Sequence, residues 1–318
     1  MRAAAPVQPI DTESLEISID AFRRAELSPA SEKGYRHDWD IFVRWCERAN
    51  LQSLPASPHT LGLYLADRLI TKKVVSVCRS AAAVAFIHKR EGFPSPLDES
   101  VRRILRGARR TRAEQSRQMR PLTVVQLRQV CAKLIQGTTA RAARDRAIVV
   151  IGFATGLRRI NLAALRMEDV TCHVEGAIFL VRQEKNDKQS HGRLVGVPYG
   201  RNPQTCPIDA LEAWLAVRGR QNGPLFTRLD RGRASETEPL SCNAIAKVVK
   251  AAISRAGIDA GQFCTHSLRA GIITEAGIAG ASALVIGAHV GHKSADSTAR
   301  YFRPANLFRT NPAGLVGL

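Results

Sequence analysis

The chain has 318 residues, enough for two domains that each bury a core, and its 45% hydrophobic content is ordinary for a globular protein. No apolar run approaches the ~20 residues that cross a bilayer and the N-terminus lacks a signal-peptide core, so a soluble, cytoplasmic protein is expected. The 47 Lys and Arg face 28 acids for a formal net charge of +19, which points to a polyanionic partner such as DNA or RNA. The 7 cysteines are scattered and form no CxxC pair, so neither disulfides nor a structural zinc site is expected.

Residues 1–29 lack clear periodicity and read as a flexible lead with at most one short helix. From Ser31 the pattern sharpens: Tyr35, Trp39, Phe42 and Cys46 recur at helical spacing. A second helix opens at Ser57-Pro58, an N-cap and first-position pair, and carries Leu61, Tyr64, Leu65 and Leu69. A third presents Val77, Ala81, Val84 and Ile87 and stops at Gly92. A fourth begins near Asp98 and presents Val101, Leu105 and Ala108. Residues 30–112 therefore form a small all-helical domain, followed by a basic linker over 113–121.

The segment from Arg102 to Arg120 is arginine-rich and lysine-free: Arg102, Arg103, Arg106, Arg109, Arg110, Arg112, Arg117 and Arg120, with Glu114 its one acid. It reads either as a solvated linker or as a basic strap whose guanidiniums meet the phosphates of a duplex.

Residues 122–305 form the second domain, with 306–318 a tail. A capped helix after Thr123 carries Val124, Leu127, Val130, Cys131 and Leu134. The apolar run Ala147–Ala154 is a buried core helix ending in Thr155-Gly156-Leu157-Arg158-Arg159, which sets a guanidinium at a turn. Val170–Val174, Ala177–Arg182 and Leu194–Pro198 read as three strands of a small antiparallel sheet. The loop before the last strand holds Lys185 and Lys188; a lysine there is a solubilising charge or a mobile general acid, and the loop alone leaves both open. Helices resume over Pro207–Arg218 and Ser241–Gly257. The fold class is mainly α with a small antiparallel β-sheet.

The last stretch is the richest in chemistry: Cys264-Thr265-His266-Ser267-Leu268-Arg269, then Val290-Gly291-His292, then Tyr301. A DNA phosphodiester is anionic and has a poor alkoxide leaving group. Two arginines on its non-bridging oxygens would neutralise the charge that builds in the transition state. A phenol, with a pKa of about 10, needs its proton removed before it attacks. One imidazole can take that proton, a second can hold an oxygen in line, and a lysine can protonate the departing 5′ oxygen. Arg158, Lys185, His266, Arg269, His292 and Tyr301 fill these roles with no metal and no cofactor. His289 and His292 are also a candidate metal pair, but only Cys264 and His266 stand near as further ligands and no HExxH accompanies them.

In their order and spacing these residues resemble the tyrosine recombinase (phage integrase) family, with the two-domain architecture of its Xer- and Cre-like members. Thr155-Gly156-Leu157-Arg158 matches the family's first arginine box, His266-Ser267-Leu268-Arg269 its H-x-x-R box, and Gly291-His292 with Tyr301 its last. The resemblance implies a helical, SAM-like core-binding domain ahead of a DNA breaking-rejoining catalytic domain. It implies Tyr301 as nucleophile in a 3′-phosphotyrosyl intermediate, Arg158 and Arg269 as phosphate clamps, His266 as acid/base, His292 as phosphate-orienting and Lys185 as general acid, with Lys188 its competitor. Also implied are duplex recombination sites as substrate, a homotetramer on a Holliday junction, and accessory DNA-bending or directionality proteins. A type IB topoisomerase-like enzyme or a non-catalytic DNA-binding regulator of the same fold are the alternatives. One departure stands out: the first box usually continues with Glu three residues after its arginine, where this chain has Asn161.

Overall fold

In a computed structural model the described residues are 11–12, 16–19, 22, 26–112, 119–182, 192–292, 294 and 297–298. The chain divides into two compact units, residues 1–117 and 118–318. It is mainly α, and among the described residues small antiparallel sheets occur only in the second unit.

Polar caps set the helix starts of the first unit. Ser28 accepts from the Ser31 amide at the head of α1 (Pro29–Ala49), and Ser57 accepts from the Thr60 amide at the head of α2 (Pro58–Thr71). After α3 (Val74–Arg90), Asp98 accepts from the Val101 amide and opens α4 (Glu99–Thr111). The apolar stripes of the four helices meet in one core in which Phe42, Leu61, Tyr64, Leu65, Val77, Val84 and Val101 are fully buried. Two polar pins cross it. Buried Asp38 takes a two-point bond from Arg79, at 2.7 and 3.1 Å, tying α1 to α3. Buried His88 donates Nδ1–H to the Val84 carbonyl (2.8 Å) and accepts the Ala56 amide proton at Nε2 (2.8 Å), which fixes a neutral ring. Burial pushes its pKa below the usual imidazole value.

Helix α4 segregates its charge. At ~100° per residue, Arg102, Arg103, Arg106, Arg109 and Arg110 fall within about a third of the circumference, a sector that excludes buried Val101 and Leu105. Arg106 pairs with Glu99 at 2.5 Å, and Arg109 reaches Cys78 Sγ at 3.1 Å. Arg112 donates to the Lys72 carbonyl at 3.3 Å. Arg120 belongs to the other unit, where its backbone amide and its guanidinium both bond to Gln262, at 2.9 and 2.8 Å. The arginine run thus spans both units, with Arg102 to Arg112 in the first and Arg120 in the second. Arg117 lies outside the described residues.

The second unit is built round α6 (Ala140–Thr155), in which Ala147 to Phe153 are all buried. A helix apolar on every face must be enclosed, and α5 (Val124–Ile135), α8 (Pro207–Arg218), α9 (Cys242–Arg255) and α10 (His266–Ile278) surround it. Short α7 (Arg159–Ala164) follows α6, and α11 (Ala283–Val290) follows α10. Strands β1 (Val170–His173), β2 (Gly176–Val181) and β3 (Arg193–Pro198) pair antiparallel in chain order, with Val170 opposite Phe179 and Val181 opposite Arg193. The base of the β2–β3 hairpin is anchored by buried Asp169, which accepts from Arg182 Nε at 2.5 Å and from the Arg166 amide at 3.1 Å.

Sequence patterning expects one sheet, and the structure adds a second hairpin, β4 (Thr227–Asp230) with β5 (Arg233–Pro239). Its side chains are mostly exposed and polar or charged, so no alternating apolar signal marks it. The two-residue turn Arg231-Gly232, with φ of 45° and 85°, has the left-handed geometry that closes a tight hairpin, and Arg228 pairs with Glu238 across it at 3.2 Å.

Candidate active site

The site begins where α6 ends. Gly156 caps that helix at φ 59°, and a Cβ there would lie 2.7 Å from Val290 and 3.1 Å from Ile272. The residue is thus required both for its left-handed backbone and for the close approach of α10 and α11 to this turn. Two residues on, Arg158 is the N-cap of α7, half-buried.

His266 and Arg269 share the first turn of α10, as their spacing of three requires. Arg269 is 1% exposed, and its Nη1 donates to the Gly156 carbonyl at 2.7 Å, joining residues 113 apart in sequence. A buried cation is tolerated only where its donors meet acceptors, and the end of α6 supplies one. Helix α10 reaches this position through Gly271, where a Cβ would meet the Leu122 carbonyl at 2.2 Å. His266 is exposed by surface area yet closely surrounded by protein. Burial, then the charges of Arg269 and Arg158, lowers its pKa.

His292 follows Gly291, the left-handed cap of α11, and its amide bonds to the Gly287 carbonyl at 2.8 Å. Its Nδ1 lies 2.8 Å from the hydroxyl of fully buried Thr298, which fixes the ring. Burial pushes its pKa down to about 4, helped in falling order by Arg269, Arg158, His266 and Arg193. These couplings bring Arg158, His266, Arg269 and His292 into one electrostatic neighbourhood. Two cations and two neutral imidazoles can hold an anion and leave a ring ready to accept a proton.

Lys185, Lys188 and Tyr301 lie outside the described residues; the lysines belong to the β2–β3 connection and Tyr301 follows Thr298 by three. Among the described residues no group of three His, Cys, Asp or Glu is placed to hold a metal ion. The suspected metal pair is turned to other partners: His289 donates Nε2–H to the Ala154 carbonyl at 2.8 Å while His292 engages Thr298. Asn161 is buried in α7, 6% exposed. Sequence reasoning missed Arg193, His289 as a structural donor, and Thr298. Only the proximity of His289 and Thr298 to His292 hinted at them.

The described residues thus combine a basic helix face in the first unit with two arginines and two imidazoles gathered in the second. The signature of the phage integrase family matches residues 117–307. An integrase/recombinase XerD homolog of Selenomonas ruminantium is 32% identical over 301 residues, covering 93% of this chain and 88% of that protein. The Cre recombinase of Escherichia phage P1 is 25% identical over 302 residues, covering 87% and 86%. The fold is similar to a lambda integrase tetramer bound to a Holliday junction, with a TM-score of 0.58 at 14% identity, over 90% of this chain and 75% of that one. The chain belongs to the phage integrase family, the site-specific tyrosine recombinases.

Proposed function

We propose that this recombinase cuts and rejoins duplex DNA through a 3′-phosphotyrosyl intermediate made by Tyr301. The observation that carries the reading is the convergence of Arg158, His266, Arg269 and His292 from segments far apart in sequence. Arg158 and Arg269 neutralise the non-bridging oxygens, while His292 orients the phosphate. His266 takes the phenol proton as Tyr301 Oη bonds to phosphorus; the bond to the 5′ oxygen breaks, and Lys185 supplies the proton that makes a 5′-hydroxyl. Lys188 is the competitor for that last role. The reverse steps with a second strand's 5′-hydroxyl complete the exchange and conserve the bond energy without ATP.

In this reading residues 30–112 grip the duplex and residues 122–305 carry the chemistry, with 113–121 as linker and 306–318 as a tail. The arginines of α4, with Arg112, Arg117 and Arg120, lie along phosphates. Four protomers hold two duplexes, as the lambda integrase tetramer does on its junction, and accessory DNA-bending proteins set direction. The protein works where the DNA is, in a bacterial cytoplasm.

The test is exchange between two differently labelled duplexes bearing a site found by footprinting DNA beside the gene. Recombinant duplexes are expected. Relaxation of a single supercoiled plasmid without exchange would instead indicate a type IB topoisomerase-like enzyme, and binding without cleavage a regulator.

A further inference from the structure

The last turn of α11 is held from two sides. Arg193 Nη1 donates to the carbonyl oxygen of His289, joining residues 96 apart. The ring of the same histidine donates Nε2–H to the Ala154 carbonyl at 2.8 Å, joining residues 135 apart. Both acceptors sit in the final turn of a helix, among the carbonyls that lack an intrahelical partner and at the negative end of the helix dipole, where a donor or cation is favoured.

Each end of this relay adjoins the candidate chemistry. Arg193 is the first residue of β3 and pairs with Val181 across the mouth of the connection that holds Lys185 and Lys188. His289 stands three residues before His292. Ala154 stands two before Gly156, whose own carbonyl is taken by Arg269, and four before Arg158.

We propose that Arg193 and His289 are positioning residues for strand cleavage, a relay that sets the His292 turn and the Arg158 turn in one register around the phosphate. This rests on the recombinase reading above. In-line attack makes register matter, because a misplacement of ~1 Å can cost about 100-fold in rate. The Arg193 charge also acts on His292, together with Arg158, Arg269 and His266, so its loss has a signature that a purely structural residue would lack.

The experiment measures single-turnover formation of the covalent protein–DNA adduct on a nicked site, with DNA affinity and melting temperature alongside. Arg193→Met and His289→Leu should each slow adduct formation at least ~10-fold, with DNA affinity within about twofold of wild type. Arg193→Lys and His289→Gln, which retain a donor, should recover most of the rate. In Arg193→Met the His292 ring, followed by NMR, should titrate at higher pH than in wild type. Undiminished adduct formation by both apolar variants would overturn the proposal. So would a rate loss that follows only the loss of folded protein while His292 titrates as before. A wild type that forms no adduct removes the recombinase reading and this one with it.

Discussion

His266 and His292 are held neutral by burial and by the cations beside them, and this has a sign. A group whose pKa is lowered on folding binds fewer protons in the native state, so stability rises with pH across the shifted range. For His292 that range runs from the ordinary value near 6.5 down to about 4, and the stability it contributes is lost as pH falls through it. The same neutral state leaves His266 able to accept a proton. The acid limb of the cleavage rate against pH should therefore lie below 6.5, and a limb above 6.5 would contradict the assignment. His88 supplies a separate test in the first unit. His88→Phe should cost about 1–3 kcal/mol at pH 7, since it strands the buried Ala56 amide, and should flatten the loss of stability on acidification seen by chemical denaturation. None of these partners could be read from residue types: histidine, Val84 and Ala56 are ordinary neighbours until the fold joins them.

At the scale of elements, helix starts were legible at Ser57, Asp98, Thr123 and Ser241, where a polar cap precedes an apolar stripe, whereas the caps Ser28, Thr139 and Ser282 were not read as starts. Strands β1 to β3 were legible within a residue or so because their apolar residues cluster. The β4–β5 hairpin was not, since backbone pairing and a tight turn hold it and little of it is buried. Helix α4 presents its arginines on one face, and that face makes a measurable claim. Arg103→Gln with Arg110→Gln should lower the steepness of log affinity against log salt by about 1.8, or ~0.9 for each phosphate left without its guanidinium. An unchanged slope would mean that these two side chains meet no phosphate. In the β2–β3 connection, Lys185→Ala should slow cleavage roughly 10²–10⁴-fold, with recovery when a 5′-thiol leaving group removes the need for an acid. Persistent slowness with the thiol would shift the role to Lys188 or to a structural function.

Taken as a whole, the second unit builds its site from segments that meet only in three dimensions. The order of the motifs was legible in the chain, and so were Arg158, His266, Arg269 and His292 as candidates. What the chain could not reveal is how they are held: Arg269 against the Gly156 carbonyl, His289 against Ala154, and Thr298 against His292. The helices that make them approach closely at Gly156 and Gly271, and glycine alone does not announce which helix will arrive. Everything proposed for this assembly turns on whether Tyr301 attacks a phosphodiester. The decisive substrate is a suicide duplex nicked beside the scissile phosphate, on which the cleaved fragment diffuses away and the intermediate accumulates. A covalent protein–DNA adduct whose DNA-bearing peptide contains Tyr301 is expected from the wild type, and none from Tyr301→Phe. An adduct of undiminished yield from Tyr301→Phe would contradict the assignment.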